Sequence, residues 1–226
     1  MKEVIIQGLG GQGPRLAGEC LVSAASFEGK YAQARPCFGP ERRAGIVVVF
    51  YRIDDKSIRR KDLFLEADCI LTMHEYLFKH FLSNGSVSVE AIKIHPKGPS
   101  LLRLDDSMLR GMLYFGATGA TEVRLKKEGI IIANTKLSPE EVKVKEGIYP
   151  SKIATLDAYP ISNEIYGERP IPIVNTIMMG AFAKATGWLK LDSVIASIEQ
   201  RWPAAAKINV EAAKRGYEEA KVLELR

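Results

Sequence analysis

Runs of apolar and β-branched residues recur along the chain, separated by turn residues and by stretches of helical spacing. Such runs are typical of strands that are buried on both faces of a sheet. Apolar residues at helical spacing follow the first run, fill residues 76–82 and return after residue 175. The predicted strands are residues 4–6, 31–38, 46–53, 69–73, 130–133 and 152–156.

This order of elements predicts the fold class. Strands that alternate with helices form α/β folds in which helices cover both faces of the sheet. We therefore predict a mostly parallel, Rossmann-like sheet. The second and third strands are an exception, because only residues 39–45 separate them. A crossover helix needs more chain than that, so these strands are expected to pair antiparallel, like a hairpin, at one edge of the sheet.

Two later segments carry residues that favour helix starts and stops. Ser138 is followed by a proline and by Glu141, which completes a capping box and predicts that a helix begins there. Farther along, Asn175 and the following threonine predict the cap of a helix that runs through Ala185. Gly187 is then expected just past the end of this helix.

A glycine-rich turn after the first strand is the most informative feature of the sequence. Residues 4–18 read V-I-I-Q-G-L-G-G-Q-G-P-R-L-A-G, which predicts a strand, a tight turn and the start of a helix. Such an arrangement presents free N–H groups and the positive end of the helix dipole to an anion, usually a phosphate. The candidate binding residues in the turn are Gly8, Gly10, Gly11, Gln12 and Gly13.

Three interpretations of this turn remain open at the level of sequence. Gly8, Gly10 and Gly13 fit the G-x-G-x-x-G pattern of NAD sites, but the pattern alone is weak evidence. An NAD site also has an acidic residue about 20 positions later, at the end of the second strand; here Glu28 precedes that strand and Glu41 lies in the loop after it. The turn therefore binds NAD or binds a different phosphate-bearing molecule. In the third interpretation it binds no ligand, and the glycines only pack the helix against the strand.

Four further residues are candidates for ligand binding. Arg42 and Arg43 stand in a short turn, where two guanidinium groups suit a phosphate or a carboxylate, although a solvated turn or a subunit salt bridge is the alternative. Asn134 and Asn175 each follow an apolar run and precede a threonine. Ligands of open sheets bind in the crevice at the carboxyl ends of strands, so both amides are expected near it, with helix capping the alternative for Asn175.

Composition limits the classes of function. A chain of 226 residues is expected to form one domain, residues 1–226, with a probable insertion at residues 84–122. A net charge of +5 is too modest to predict nucleic-acid binding.

Cys20, Cys37 and Cys69 match neither an iron–sulfur nor a zinc spacing, and they suggest reduced thiols in a cytoplasmic protein. With no run of about 20 apolar residues and no signal peptide, no membrane association is expected.

No catalytic group is evident, and none is predicted. The three histidines are not spaced as metal ligands, and no Ser-His-Asp order or paired catalytic carboxylates can be recognised. The chain is therefore expected to bind a ligand without carrying out chemistry itself.

Five motifs together resemble one family. They are G-L-G-G-Q-G-P-R-L-A-G at 8–18, Y-A-Q-A at 31–34, F-G-P-E-R-R-A-G at 38–45, G-I-I-I-A-N-T at 129–135 and V-N-T-I-M-M-G-A-F-A-K-A-T-G at 174–187. The chain resembles the gamma subunit of 2-oxoacid:ferredoxin oxidoreductases, which corresponds to domain III of single-chain pyruvate:ferredoxin oxidoreductase.

The resemblance implies a role in a complex that oxidatively decarboxylates a 2-oxoacid to an acyl-CoA and passes electrons to ferredoxin or another acceptor. Thiamine diphosphate, Mg and the iron–sulfur clusters would belong to alpha, beta and delta-type partner subunits. This chain would help to bind coenzyme A. The residues from Gly8 to Gly13 and Arg42 or Arg43 would meet its phosphates, and Asn134 and Asn175 its other polar groups. The alternatives are an NAD-binding Rossmann-type dehydrogenase and a purely structural subunit.

The sequence also departs from the family pattern. Ala44 replaces the usual second glycine of the E-R-R-G-G motif, and Pro14 stands where a valine is common. Residues 84–122 exceed a typical gamma subunit. The identity of the 2-oxoacid (pyruvate, 2-oxoglutarate, branched-chain or aromatic), the stoichiometry of the complex and the electron acceptor stay open.

Overall fold

The computed structural model describes residues 1–38, 45–88 and 122–225, which contain one eight-stranded sheet and six α-helices. The strands are β1 (Lys2–Leu9), β2 (Tyr31–Phe38), β3 (Ile46–Asp54), β4 (Glu66–Thr72), β5 (Ser86–Ser88), β6 (Glu122–Asn134), β7 (Lys152–Leu156) and β8 (Lys221–Glu224). The helices are α1 (Pro14–Phe27), α2 (Glu75–Asn84), α3 (Ala158–Tyr166), α4 (Asn175–Thr186), α5 (Leu191–Arg201) and α6 (Ala206–Glu219).

The sheet confirms the predicted α/β class and corrects one detail of it. Its strand order is β2-β3-β1-β4-β6-β7-β8, and β5 adds to β6. The central strands β1, β4, β6 and β7 are parallel, but β3, β5 and β8 pair antiparallel with their neighbours. The sheet is therefore mixed rather than mostly parallel. The short connection between β2 and β3 makes β3 antiparallel, whereas β8 runs antiparallel to β7 after a long connection that contains four helices. The predicted antiparallel pairing of β2 with β3 at an edge is confirmed.

Helices cover both faces of this sheet, as predicted. Residues alternate along β1, so that Val4 and Ile6 pack on the face covered by α1 and α3–α6, and Ile5 packs on the face covered by α2. The first face carries the larger core, which includes Phe182 of α4. Among the described residues, no helix combines the length and the apolar character that a membrane span requires.

Two helices on the larger face, α4 and α6, approach one another at glycines. A Cβ placed on Gly180 would lie 1.9 Å from the carbonyl oxygen of Ala213, and one placed on Gly216 would lie 1.9 Å from that of Ile177. The backbones are in direct contact at both positions. Only glycine fits there, because any side chain would overlap a backbone atom of the facing helix.

Three sequence predictions need comment at the level of the fold. The helix expected after Ser138 is only a short 3₁₀ turn over Pro139–Glu141, although Glu141 does accept a hydrogen bond from the Ser138 N–H at 2.8 Å. The turn ends at Glu141 because valines alternate with lysines after it. In an extended chain this alternation places Val142 and Val144 against the core. Gly187 ends α4 with φ +63°, as predicted. Most of the proposed insertion, residues 89–121, lies outside the described residues.

Candidate functional site

The parallel strands β1, β4, β6 and β7 end at one edge of the sheet, and the glycine turn lies there. Gly11 and Gly13 have φ of +104° and +88°, the left-handed region that favours glycine. The turn leads into α1, which begins at Pro14. The N–H of Gly10 donates to the carbonyl of Gly45 at 2.7 Å, so the start of β3 is held against the turn.

Two glycines of the turn have a packing role. A Cβ on Gly8 would lie 2.8 Å from Cγ of Pro14, and one on Gly13 would lie 2.8 Å from Cγ of Asn175. Gly11 is exposed, and its nearest neighbour would be the Ile171 side chain at 3.1 Å. The turn therefore combines tightly packed glycines with a segment, Gly10–Gly11, that solvent reaches.

Gln12 lies beneath the turn and is fully buried. Its Nε2 donates to the carbonyl of Met73 at 3.1 Å and to the Tyr159 hydroxyl at 3.4 Å. Its Oε1 accepts the N–H of Leu9 at 2.9 Å. Both ends of the amide are used within the protein, so Gln12 positions the turn.

Asn134 is also fully buried, at the carboxyl end of β6. Its Nδ2 donates to the Met73 carbonyl at 2.9 Å, and its Oδ1 accepts the N–H of Ala158 at 2.8 Å. Gln12 and Asn134 thus meet at one carbonyl oxygen, that of Met73. This shared acceptor ties together the ends of β1, β4 and β6, and Asn134 links them to the start of α3.

Asn175 differs from the other two amides. The capping role considered for it is wrong, because Val174 is the N-cap residue of α4 and Asn175 is the first residue of the helix. Its side chain packs against Gly13. Among the described residues, no hydrogen bond of the Asn175 amide is observed. The residue is 3% exposed, so little of this side chain reaches solvent.

Sequence reasoning missed His74 and Tyr159, which lie beside the turn. The Nδ1 of His74 accepts the N–H of Tyr76 at 3.2 Å, and burial lowers the pKa of His74, so the imidazole is neutral at pH 7. The Tyr159 ring lies 6.5 Å from the His74 ring, and burial raises the pKa of its hydroxyl. Both residues come just after parallel strands, a position that could have revealed them.

The arginine pair predicted to bind the ligand, Arg42 and Arg43, lies outside the described residues. The flanking residues are at the same edge of the sheet as the turn. Phe38 pairs with Val47, and Val47 pairs with Gly8 on its other side. The chain thus leaves β2 and enters β3 next to the glycine turn.

Within the described ranges, no group of three or more His, Cys, Asp or Glu side chains is arranged to hold a metal ion. Cys20 and Cys69 are buried, and Cys37 is half-buried. Burial raises the pKa of the Cys20 thiol to about 12, which keeps it protonated.

Comparison with known proteins identifies the family. The model of the family described as pyruvate ferredoxin/flavodoxin oxidoreductase matches residues 3–219. The chain belongs to this family. It is 37% identical over 226 residues, all of both chains, to the common gamma subunit of the pyruvate/ketoisovalerate oxidoreductases of Pyrococcus furiosus.

A solved structure agrees with this assignment. The pyruvate oxidoreductase subunit PORC of Thermotoga maritima matches with a TM-score of 0.67 and 28% identity, covering 99% of this chain and 100% of that chain. The 2-oxoglutarate:ferredoxin oxidoreductase of Magnetococcus marinus, with 2-oxoglutarate, coenzyme A and succinyl-CoA bound, matches with a TM-score of 0.61. The gamma chain covers 31% of it at 12% identity, a likeness that shows the fold.

The predicted family resemblance is confirmed. The protein is a gamma subunit of a ketoacid:ferredoxin oxidoreductase complex, and the other subunits of that complex are its partners.

Proposed function

We propose that this gamma subunit binds part of coenzyme A at the carboxyl edge of its sheet. Thiamine diphosphate, Mg and iron–sulfur clusters in alpha, beta and delta-type subunits would carry out the oxidative decarboxylation and deliver electrons to ferredoxin or another acceptor. The observation that carries the proposal is the glycine turn at the start of α1, with the unpaired amide of Asn175 packed against it. Free N–H groups at a helix start suit the phosphates of the coenzyme.

The candidate residues divide into two groups. Gly10, Gly11 and Gly13 would bring the backbone close to a phosphate, and Asn175 would donate or accept a hydrogen bond beside it. Gln12 and Asn134 would act indirectly, since their amides are already bonded within the protein. Gly8 would keep the turn tightly packed.

Arg42 and Arg43 are proposed to supply positive charge to the coenzyme. The chain on both sides of residues 39–44 lies at the edge where the turn lies, which supports this assignment. Guanidinium groups bind phosphate oxygens in pairs, and such charge-assisted bonds are stronger than neutral ones.

Two observations weigh against NAD as the ligand. No acidic residue occurs in β2, where an NAD site would have one for the ribose hydroxyls. In addition, β3 lies between β1 and β2, whereas in a dinucleotide-binding sheet the second strand lies directly beside the first. The end of β2 is therefore displaced from the turn by one strand.

Replacing both Arg42 and Arg43 by alanine in the co-expressed complex is expected to raise the apparent KM for coenzyme A by about tenfold or more. A hydrogen bond to a charged group is worth about 1.5–3 kcal/mol, which corresponds to at least that factor. The assay would use pyruvate and 2-oxoisovalerate, following the name of the Pyrococcus furiosus relative.

The control is Arg59→Ala, which removes a guanidinium outside the proposed site and should leave this KM unchanged. The KM for the 2-oxoacid should also stay the same in the double variant. An unchanged KM for coenzyme A in the double variant would sink the assignment of the arginines.

A second variant, Asn175→Asp, tests the turn itself. It retains the shape of the side chain and places a carboxylate beside the proposed phosphate, so the KM for coenzyme A is expected to rise about tenfold. Thermal unfolding of the same variant shows whether the substitution changes the stability of the fold or only the binding of coenzyme A. If the melting temperature falls and the KM does not change, the turn has a purely structural role.

A further inference from the structure

A cavity lies against β2 and β3, at the level of the amino half of β1. It has a volume of about 360 Å³. Phe50 in its lining pairs with Ile5 of β1, which is four residues from Leu9 at the glycine turn, about 13 Å at the rise of a strand. The cavity is therefore separate from the proposed coenzyme site. Its charged and aromatic lining consists of Arg35, Phe50, Arg52, Lys61, Asp62 and Phe64.

Arg52 lies in the wall of this cavity with one nitrogen unsatisfied. The residue is 3% exposed, and its guanidinium lies over the ring of Phe64. Nε donates to Oε1 of Glu3 at 3.0 Å, and Nη1 donates to the carbonyl of Asp62 at 2.8 Å. Nη2 is buried and has no hydrogen-bond acceptor among the described residues. A buried donor of a charged group is costly to leave without a partner.

The neighbouring carboxylates do not accept a hydrogen bond from Nη2 of Arg52. Oδ1 of Asp62 lies 3.6 Å from Nη2 of Arg52, too far for a hydrogen bond. Both oxygens of Asp62 are bonded to Arg60, at 3.1 and 2.6 Å. Glu3 also pairs with Lys126, at 3.3 Å. The available negative charge is thus shared among several cations.

The rest of the lining favours an anion with a short apolar stem. The exposed side chains of Arg35 and Lys61 contribute two positive charges, whereas the charge of Arg52 is offset by Glu3 and that of Asp62 by Arg60. Arg35 and Lys61 are exposed and joined, since Nη1 of Arg35 donates to the Lys61 carbonyl at 2.6 Å. Phe50 and Phe64 pack edge-to-face at 5.0 Å and form an apolar wall.

We propose that this cavity binds the carboxylate of an acidic side chain from another subunit of the complex. A carboxylate would pair with the exposed side chains of Arg35 and Lys61, and methylene groups would contact the two phenylalanine rings. The source is a subunit because this chain works within a multisubunit oxidoreductase, whose other subunits are its partners. The proposal does not depend on where coenzyme A binds.

Zero-length crosslinking of the purified complex with a carbodiimide tests the proposal. The reagent joins an amine to a carboxylate in direct contact, so Lys61 should form an amide with an Asp or Glu of another subunit, which peptide mass spectrometry would identify. Lys56, in the nearby turn outside the cavity, provides the comparison. Crosslinks of Lys61 only within its own chain, or none at all, would refute the proposal.

Charge reversal provides an independent measurement. The double variant Arg35→Glu/Lys61→Glu changes only exposed side chains and is expected to weaken association of the gamma subunit with the complex by about tenfold or more. The Lys56→Glu variant should assemble normally. Native mass spectrometry at increasing salt would give the fraction assembled.

A final arm distinguishes a free anion from a protein carboxylate. If acetate or phosphate stabilises the isolated full chain against heat and the charge-reversed complex assembles as the wild type does, the cavity binds a small anion and the subunit assignment is wrong. If the small anions have no effect and charge reversal weakens assembly, the assignment is supported.

Discussion

Replacing Gly216 with alanine is expected to lower the free energy of unfolding of the full chain by about 3 kcal/mol. The added Cβ would lie 1.9 Å from the backbone carbonyl oxygen of Ile177, well inside contact distance. Inserting a methyl group into a packed core costs about 1–3 kcal/mol where side chains can move aside. Here the obstacle is backbone, so α4 and α6 must separate, and the upper end of that range is expected.

The sign of this effect identifies its cause. In an exposed helix the same substitution would stabilise by about 1 kcal/mol, because alanine has the higher helix propensity. A large loss therefore cannot come from propensity and must come from the helix contact. Gly180→Ala should behave similarly, since its Cβ meets the Ala213 carbonyl oxygen at the same distance.

Urea unfolding followed by circular dichroism would measure the loss as a lower midpoint with little change in the slope m. Lys214→Ala is the matched control, because Lys214 is exposed on the same helix and its change should stay within about 0.5 kcal/mol. The double glycine variant should lose less than the sum of the single losses, since one separation of the helices relieves both overlaps. A Gly216→Ala chain as stable as the wild type would refute the close approach.

Asn134→Leu is expected to lower the free energy of unfolding by about 3 kcal/mol. The leucine has a similar size but leaves the N–H of Ala158 without its acceptor, and the Met73 carbonyl with only the longer bond from Gln12. A buried polar group that loses its partner costs about 1–3 kcal/mol. The N–H of Ala158 loses its partner and the Met73 carbonyl loses one of two hydrogen bonds, so the upper end of this range is expected.

The same variant should also raise the KM for coenzyme A, if the chain binds that coenzyme. The Met73 carbonyl receives hydrogen bonds from both Gln12 and Asn134, so loss of one bond loosens the support of the glycine turn. Asn163→Leu, at an exposed position of α3, is the control and should change neither quantity. Unchanged stability in Asn134→Leu would show that the shared carbonyl is not a structural junction.

Local patterns predicted most of the strands and several helix ends. The bounds of β2 and β7 agree with the sequence prediction at both ends, and β3 begins at the expected Ile46. The glycine at the end of α4 was predictable because few other residues adopt positive φ. The helix expected at Ser138 was wrong because its start signals act on one turn only, whereas the alternating residues after it pack as an extended chain.

The site was predictable only in part, because local patterns do not show which distant residues a side chain contacts. Residue type and position placed Gln12, Asn134 and Asn175 near the ends of parallel strands. Their different roles depend on partners far away in the chain: Met73 and Ala158 occupy the amide of Asn134, while Asn175 packs against Gly13 with its amide unpaired. His74 and Tyr159 were missed because a single histidine or tyrosine forms no motif. Only their positions just after parallel strands could have revealed them.

The sequence alone thus determined the α/β class, the hairpin-like edge, the glycine turn and the family, because each is written in local periodicity or in a short motif. Only the tertiary structure decided that β3 lies between β1 and β2, that two buried amides share one carbonyl, that α4 and α6 meet at glycines and that Arg52 has an unsatisfied nitrogen. These features join residues that are distant in the chain. Burial makes such contacts specific, because an unpaired polar group or an overlapping atom inside the protein cannot be relieved by water.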